Sequence, residues 1–516
     1  MSPSYFYIYC LFPDLNWRHI LLTATPLKRD RNNNHGNQHM RLTTLTYLLA
    51  LFSSALSPAF AGETEDFIAK LNEHYKATKP IKTFSLRYHF LNNQYRENDY
   101  WDFRSPNRVM SQRMVEVDME KKHFYDNDIL YGLGGRLFDR AQFQNDEHSF
   151  YYEKSASTYG KAYINQGLGN YDRFIHWMIK NVDFLVVRPL LQEGMISKNI
   201  SLKHNEADKT STLSHRQTDG NTIEYKFKTE PLQLISVYDT AAKYLTTYQD
   251  YQTTRGLTFA RAVNSYTHGL AEPAYIKYID DFSVINQVTP ERLKLPAGYG
   301  PEVQRGDGIL TLNEIGKDLF LITDSSAVIN SLAKVNGDKI TLFGASTYAR
   351  LAEKIIALMT KHFPTKKLHS VYVSHPHISQ IAGLEIYAAH GINVLADEYT
   401  IAGIKAYSPF SATIDSFVFT TISHGQTIDN TNFYILDNLH SKKQGFVHFQ
   451  DNEIIFQSHF LHIPKDNTIA RVIPNYSKVF IDFIRENKIT FNRIVGNYRN
   501  NKITVEVVNK TYKAFM

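Results

Sequence analysis

The stretch that decides the fold of this chain runs from residue 371 to residue 384 and reads VYVSHPHISQIAGL. A short run of β-branched and aromatic residues predicts a strand, and an irregular loop with His375 and His377 follows at once. Loops at the carboxyl ends of strands are where α/β folds place binding sites, and two imidazoles two residues apart can bind one cation. On this motif alone, two surface histidines remain the better explanation, so the surrounding pattern has to decide.

Strands and helices alternate around this loop. Apolar periodicity predicts strands at 319–322 and 340–343, a helix at 348–363, a strand at 370–373, a helix at 381–390 and a strand at 392–395. Gly391 is expected to end the second helix, because glycine readily adopts the left-handed conformation found at helix ends. This order predicts α/β layering. Strands expected near Phe433, Phe446 and Ile454 follow without helices between them.

The region from about Leu310 to Val507 resembles the metallo-β-lactamase superfamily in the order and spacing of its segments. Three segments carry the resemblance: LFLITDSSAVINSLAKVNGDKITLFGASTYARLAEKII, VYVSHPHISQIAGLEIYAAHGINVLADE and LHSKKQGFVHFQDNEIIFQSHFLHIP. The resemblance implies an αββα sandwich over residues 309–516. It also implies a metal site built from the loops that follow the strands.

The resemblance assigns the metal ligands residue by residue. In that family the first loop reads His-x-His-x-Asp-His, a later histidine follows a strand, and a further acidic residue and a final histidine complete the site. His375 and His377 match the first two positions and His440 the third, which gives one complete metal subsite. His459 stands where the family has its bridging Asp, and it is a further candidate ligand.

The other subsite departs from the family pattern. Ser379 stands in place of the Asp, Gln380 in place of the His, and Tyr498 in place of the closing His, while Gly344 replaces the usual Asp after the preceding strand. Serine and glutamine are poor zinc ligands beside carboxylate and imidazole. We therefore expect one zinc ion or none, and no dinuclear centre.

Two hypotheses about activity remain open from these residues. One is a mono-metal hydrolase of unknown substrate, with catalytic residues not assigned. The other is its inactive descendant, retained as a non-catalytic binding or scaffold protein. No alternative catalytic motif is present in the sequence, since Gly-x-Ser-x-Gly and a phosphate-binding glycine loop with lysine are both absent.

Residues 62–300 predict a β-rich domain, a curved antiparallel sheet with one or two helices. A helical pattern from Phe67 to Tyr75 precedes short runs of period-two alternation, for example at 84–90 and 222–227. The opening helix, IKTFSLRYHF and the closing LPAGYG resemble the half-barrel of periplasmic lipoprotein carriers. That resemblance implies a lipid-like ligand on the concave face, and an ordinary β-domain with a filled interior is the alternative. A linker rich in glycine and proline is expected at 296–308.

The N-terminus predicts export. Met40 and Arg41 lead into an apolar run and an Ala-x-Ala ending at Ala61, the layout of a signal peptide over residues 40–61. Residues 1–39 have no place in that layout and are interpreted as a non-native upstream extension. The single cysteine, Cys10, lies upstream of the cleavage site. We expect a periplasmic or secreted protein that does not span the membrane after cleavage.

Composition indicates which classes of binding partner to expect. The 516 residues carry a formal net charge of +6, and lysine and arginine are scattered rather than clustered. Nucleic-acid binding therefore has no support, and a small molecule or lipid is the expected partner.

Overall fold

The computed structural model describes the main part of the chain. The described residues are 57–93, 100–105, 108–154, 164–165, 170–191, 199–267, 271–296, 308–324, 329–467, 469 and 472–515. The predicted extension 1–39, positions 40–56 of the predicted signal peptide and the linker residues 297–307 lie outside them. Among the described helices, none is both long and apolar enough to cross a membrane.

Antiparallel strands dominate the part of the chain before residue 290. The helices are α1 Ser57–His74, α2 Asn170–Met178 and α3 Asp183–Val186. The strands are β1 Thr83–Asn92, β2 Val109–Asp118, β3 His123–Tyr131, β4 Leu137–Gln144, β5 Ser149–Glu153, β6 Ile164–Asn165, β7 Ile200–Asn205, β8 Thr210–Arg216, β9 Thr222–Thr229, β10 Leu232–Asp239, β11 Tyr244–Thr254, β12 Leu257–Thr267 and β13 Tyr275–Val284. The opening helix and the strands predicted at 84–90 and 222–227 are confirmed.

Strands and helices alternate over most of the remaining chain. The strands are β14 Leu310–Gly316, β15 Leu319–Asp324, β16 Asn330–Asn336, β17 Lys339–Phe343, β18 Lys367–Tyr372, β19 Asn393–Ala396, β20 Phe419–Thr421, β21 Gln426–Ile428, β22 Thr431–Leu436, β23 Gln444–Phe449, β24 Ile454–Gln457 and β25 Arg493–Gly496. The helices are α4 Ala349–His362, α5 Ile378–Ile381, α6 Leu384–Ala389, α7 Glu398–Ala406, α8 Asn475–Glu486 and α9 Val505–Lys513.

The helix predicted at 381–390 differs from the structure, which has two short helices, α5 and α6. The backbone amide of Gly383 leaves the helical pattern and donates a hydrogen bond to the carbonyl of Ser346 at 2.8 Å. A Cβ atom at Gly383 would lie 2.9 Å from the carbonyl carbon of Tyr348. The close approach of the neighbouring loop therefore interrupts the helix at the one residue without a side chain.

By contacts, the chain divides into two compact units. Unit 1 contains the described residues up to Pro80 and those from Trp177 to Ala274. Its strands β7 to β12 pair in chain order. Its interior is filled by large apolar and aromatic side chains such as Phe227 and Tyr248, which are 0% and 1% exposed.

Unit 2 contains residues 81–176 and 275–516. Within it, one set of strands follows the order β6-β5-β4-β3-β2-β1-β13, a seven-stranded sheet runs from β14 to β20, and a five-stranded sheet from β21 to β25. Strands β17 to β20 are parallel, and β24 pairs in parallel with β25. This grouping by contacts differs from the domains predicted at 62–300 and 309–516, and those boundaries stay a prediction.

The core of unit 2 shows how its C-terminal sheets are layered. One apolar cluster joins the seven-stranded sheet, through residues such as Leu332, Phe343 and Tyr372, to the five-stranded sheet, through Phe433, Phe449 and Phe456. A second cluster joins the other face of the five-stranded sheet to α8 and α9. The mixed α/β class is therefore confirmed. The loops that follow β18, β22 and β24 carry the histidines singled out above.

Candidate metal centre

Four imidazole rings converge in unit 2. His375 and His377 lie in the loop after β18, His440 in the loop after β22, and His459 in the loop after β24. The ring centroid of His375 lies 4.6 Å from that of His377 and 5.0 Å from that of His440. His459 is 4.9 Å from His440 by the same measure. The structure thus brings together all four histidines that the sequence singled out.

Three of the four offer ring nitrogens at metal-binding spacing. One nitrogen each from His375, His440 and His459 lies within 4.8 Å of the other two. Nε2 of His375 and Nδ1 of His459 are 3.3 Å apart. Two nitrogens bound tetrahedrally to one zinc ion at about 2.0 Å lie roughly 3.3 Å apart, so this pair already has the spacing of two zinc ligands.

An orphaned nitrogen supports the same interpretation. Nε2 of His440 is buried and has no hydrogen-bond partner within the described part of the chain, and the whole residue is only 8% exposed. A buried ring nitrogen without a hydrogen-bond partner lowers the stability of the folded chain, and a bound cation would remove that cost. The residues present therefore fit a metal ion.

His377 is placed differently from the other three. Its Nε2 lies 3.2 Å from the backbone carbonyl oxygen of Tyr100. Because a carbonyl can only accept, Nε2 carries the proton, and only Nδ1 remains to act as a ligand. The sequence predicts His375, His377 and His440 as one subsite, whereas the closest set of nitrogens includes His459 instead of His377. The full ligand set stays a prediction.

The imidazoles of His375, His440 and His459 are held neutral by their surroundings. Burial, and then the neighbouring His377, lower the pKa of His375 well below its usual value. Burial and the other histidines likewise lower the pKa of His440, and burial followed by His375 lowers that of His459. Because only a neutral imidazole offers a lone pair to a metal, the low pKa values keep these side chains ready to bind a cation at neutral pH.

Neighbouring groups orient the ligands. Oγ of Ser374 lies 2.9 Å from Nδ1 of His375, which leaves Nε2 of that ring to face the cluster. His459 has a φ of 67°, a left-handed conformation that histidine tolerates better than most residues. Its ring stacks on Tyr498 with centroids 4.8 Å apart and an interplanar angle of 11°. Such contacts fix ring orientation before any metal arrives.

The residues at the second subsite bind one another. Nε2 of Gln380 donates to the carbonyl of Ser379 at 3.1 Å, to Oδ1 of Asn497 at 3.2 Å and to the hydroxyl of Tyr498 at 3.2 Å. The Tyr498 hydroxyl donates to the Ser379 carbonyl at 2.8 Å. These neutral groups satisfy one another, so Gln380, Tyr498 and the backbone carbonyl of Ser379 form a hydrogen-bonded plug.

Asn497 anchors this plug, and the sequence interpretation missed it. Its Nδ2 donates to the carbonyls of Asn330 and Gly344 at 2.8 and 3.0 Å. A Cβ atom at Gly344 would lie 2.4 Å from that Nδ2, and Gly344 has a φ of 67°. Glycine at this position therefore lets the amide occupy space beside the subsite. The one sequence feature that could have pointed to Asn497 is its position directly before Tyr498.

A distant segment covers the histidines. The indole nitrogen of Trp101 donates to the carbonyl of Asn438 at 2.8 Å, and Lys442 pairs with Asp102 at 2.8 Å. Together with the carbonyl of Tyr100 on His377, these contacts hold residues 100–105 over the loop after β22. No sequence signal pointed to this contact, because more than 270 positions separate Tyr100 from His377.

Comparison with known proteins gives a limited result. No family model matches this chain, and no curated protein matches it. Solved structures do match: a metallo-β-lactamase from Erythrobacter litoralis with β-mercaptoethanol in its active site has 15% identity and a TM-score of 0.33, with 40% of this chain and 96% of that chain covered.

Two further metallo-β-lactamases give similar values. The enzyme from Hirschia baltica has 14% identity and a TM-score of 0.33, with 40% and 97% of the two chains covered. A Pseudomonas aeruginosa enzyme in its mono-zinc form has 14% identity and a TM-score of 0.32, with 40% and 94% covered. The predicted resemblance to metallo-β-lactamases is confirmed to this extent, and likeness at this level carries no argument about activity.

Proposed function

We propose that this chain is an exported metal-dependent hydrolase of metallo-β-lactamase fold that works with one zinc ion rather than two. The proposal includes the finer architecture expected from the sequence, a curved N-terminal β-domain joined to an αββα sandwich.

One observation carries the proposal. His375, His440 and His459 offer three neutral ring nitrogens within 4.8 Å of one another, and His440 also has a buried ring nitrogen, Nε2, without a partner among the described residues. Catalytic zinc sites have three protein ligands and one open position, whereas structural sites are closed by four. Because the set of ring nitrogens that lie within 4.8 Å of one another leaves out His377, three imidazoles and an open position suit the geometry better than four ligands.

The chemistry follows from the donor set. When bound, a zinc ion held by three neutral imidazoles acts as a Lewis acid and lowers the pKa of coordinated water to about 7. The chain itself orients the ligands and shields them from water. Ser374 fixes the His375 ring, and residues 100–105 cover one side of the histidine cluster. The low dielectric of this buried environment strengthens every electrostatic interaction inside it.

The missing carboxylates limit the proposed activity. Ser379, at a position where the family has an acidic ligand, carries no carboxylate, and the proposal uses the lone pair of His459 as a metal ligand, so neither residue is available to accept a proton from the nucleophile. The amide plug of Gln380 and Asn497 occupies the second subsite. Loss of an orienting base and a second cation each raises a hydrolytic barrier by several kcal/mol. We therefore expect slow hydrolysis.

The competing hypothesis is a non-catalytic binding or scaffold protein whose N-terminal domain holds a lipid-like ligand. In unit 1 the positions that would face such a ligand include side chains buried by the chain itself, such as Phe227 and Tyr248. An interior filled by its own aromatic residues favours a structural role for that unit. The hydrolase is for this reason the preferred proposal.

Location belongs to the same proposal. The signal peptide predicted at residues 40–61 would direct the chain to the periplasm or the exterior, where it would act after cleavage as a protein that does not span the membrane.

Zinc content tests the proposal directly. Full-length protein purified without added metal, then dialysed against zinc, should hold about one zinc ion per chain by elemental analysis. The zinc-loaded protein should hydrolyse 4-nitrophenyl acetate faster than the metal-free protein. His375→Ala should lose both the zinc and the added rate, because loss of a ligand weakens zinc binding by more than the roughly 10- to 100-fold that loss of an outer-shell partner costs.

Two further variants make this test specific. His390→Ala removes an exposed histidine outside the cluster and should change neither quantity. His377→Ala should retain most of the zinc if three ligands suffice. A zinc content below roughly a tenth of an ion per chain that His375→Ala leaves unchanged would exclude the hydrolase.

A further inference from the structure

A buried ion pair joins β5 to the turn that follows β25 in unit 2. Glu153 is the last residue of β5, and Arg499 lies in the turn after β25. Both carboxylate oxygens of Glu153 are 3.2 Å from Nη2 of Arg499, and the two side chains are 7% and 19% exposed, respectively. Because water reaches neither group well, loss of one partner would leave the other as a poorly solvated charge.

Two arginines keep Glu153 ionised. Burial by itself would raise the pKa of Glu153, but the charges of Arg499 and Arg140 outweigh burial and bring that pKa below its usual value. Arg140 is the direct cross-strand neighbour of Glu153 on β4. The carboxylate is therefore charged at neutral pH, and its contact with Arg499 is a true ion pair.

The ion pair holds a turn of unusual backbone conformation. The backbone amide of Gly496 donates to the carbonyl of Asn500 at 2.9 Å and closes the turn. Inside it, Arg499 has a φ of 65°, in the left-handed region that arginine seldom adopts. Such a conformation costs free energy and persists where neighbouring contacts enforce it. Glu153 supplies one such contact, from a strand 346 positions earlier in the chain.

The same turn places an aromatic ring on a candidate metal ligand. Tyr498 directly precedes Arg499, and its ring stacks on that of His459 with centroids 4.8 Å apart and an interplanar angle of 11°. His459 is one of the three histidines whose ring nitrogens lie within 4.8 Å of one another. The plane of the His459 ring therefore depends on where the backbone of the turn holds Tyr498, and each contact from Glu153 to His459 follows directly on the one before it.

We propose that Glu153 is a positioning residue for the metal centre. Its ion pair with Arg499 holds the turn after β25, and this turn keeps the ring of Tyr498 against that of His459. Glu153 lies outside the region that resembles metallo-β-lactamases, so the β-rich part of unit 2 contributes to the order of the histidine cluster. The metal in this inference rests on the proposed function, whereas the orientation of the His459 ring needs no metal ion.

Chemical modification of His459 in metal-free, full-length protein tests the inference. Diethyl pyrocarbonate reacts with accessible imidazole nitrogens, and mass spectrometry of peptides gives the rate at each histidine. Glu153→Gln keeps the size of the side chain and removes its charge. The rate at His459 should rise about fivefold or more, because the ring spends more time away from Tyr498. The rate at His390, an exposed histidine outside the cluster, should stay the same.

A matched variant separates positioning from a general loss of stability. Glu116 lies on β2 in the same unit, its side chain is 8% exposed, and it pairs with Arg292. Glu116→Gln therefore breaks a comparable buried ion pair away from the turn. It should lower the midpoint of thermal unfolding as Glu153→Gln does, but it should leave the rate at His459 unchanged.

A milder substitution covers the case in which Glu153→Gln does not fold. Arg499→Lys keeps the positive charge but loses the fixed fork of the guanidinium group, so the ion pair is weakened rather than broken. The rate at His459 should still rise, by a smaller factor than in Glu153→Gln.

Zinc affinity gives the second measurement. Competition with a chromogenic chelator should show zinc binding about tenfold weaker in Glu153→Gln, at the lower end of the loss expected for partners outside the ligand shell. Glu116→Gln should bind zinc as the unmodified chain does.

The outcomes separate this inference from the proposed function. An unchanged rate at His459 in Glu153→Gln, an equal rise in Glu116→Gln, or a faster rate with unaltered zinc affinity would overturn the positioning role. A faster rate at His459 in a chain that takes up no zinc would support the contacts from Glu153 to the ring and refute the hydrolase. Zinc uptake and hydrolysis that do not respond to Glu153→Gln would do the reverse.

Discussion

Two adjoining positions in unit 2 bury polar side chains in opposite ways. At the first subsite, four imidazoles converge and Nε2 of His440 has no partner among the described residues. At the second, Gln380, Asn497 and Tyr498 bond to one another and to backbone carbonyls. Buried polar groups need partners. The second subsite supplies its own, whereas the first leaves Nε2 of His440 without one, in a cluster of ring nitrogens that could hold a metal ion.

The two subsites therefore differ in whether their buried polar groups already have partners within the chain. Random decay of unused ligands would leave buried polar groups without partners at either position, at a cost of about 1–3 kcal/mol each. The residues of the second subsite form a satisfied hydrogen-bonded network, whereas the first subsite has an imidazole at each of its four positions, including His459, where the family has an acid. The three predictions that follow test this contrast, from the largest expected effect to the smallest.

Asn497→Ala should have the largest effect, and it should be an effect on stability. The substitution removes the buried Nδ2 donor to the carbonyls of Asn330 and Gly344 and one acceptor of the Gln380 amide, so the free energy of unfolding should fall by about 3 kcal/mol. Thermal unfolding should show a midpoint several degrees lower, with zinc content per folded chain unchanged. Asn509→Ala, at an exposed asparagine, is the control. Loss of zinc together with stability would show that the two subsites are not independent.

Ser374→Ala should have a smaller effect, on metal affinity instead of stability. It removes the hydroxyl 2.9 Å from Nδ1 of His375, and loss of such an orienting partner weakens metal binding by about 10- to 100-fold. Competition with a chromogenic zinc chelator measures the dissociation constant. Ser416→Ala, at an exposed serine, should leave it unchanged. An unaltered constant in Ser374→Ala would mean that the ring is held by packing alone.

Gln380→His should have the smallest effect on zinc stoichiometry. It restores the imidazole found in the family, but Ser379 and Tyr498 still provide no carboxylate or imidazole, and Asn497 remains in place. Equilibrium dialysis should therefore still give about one zinc ion per chain. Two ions per chain would show that the amide plug gives way readily and that Gln380 alone prevents the second metal from binding.

Much of the fold around the site could be predicted because it depends on local patterns. Apolar residues at helical spacing predict a helix at 348–363, and the structure has α4 at Ala349–His362. The prediction of one helix at 381–390 was wrong at Gly383, where the backbone amide donates to the carbonyl of Ser346 instead of continuing the helical hydrogen bonds. That bond depends on a neighbouring loop, and single-segment periodicity contains no information about it.

The site shows the same division. His375, His377, His440 and His459 were identified from a family pattern in the sequence, and they do converge. Their roles could not all be predicted, because His377 forms a hydrogen bond to the backbone carbonyl of Tyr100. A residue of any type would supply that carbonyl, so the sequence gives no sign of the bond.

The sequence by itself determined which residue types stand at each metal position: four imidazoles that can bind zinc, and Ser379, Gln380 and Tyr498, which bind it poorly. Only the tertiary structure decided that the substituted residues form a closed hydrogen-bonded network through Asn497, and that Glu153 pairs with Arg499 beside Tyr498. Ligand chemistry is a property of a side chain and can be inferred from its identity. Hydrogen bonds and ion pairs are properties of residues brought together from distant parts of the chain, so they appear only once the chain is folded.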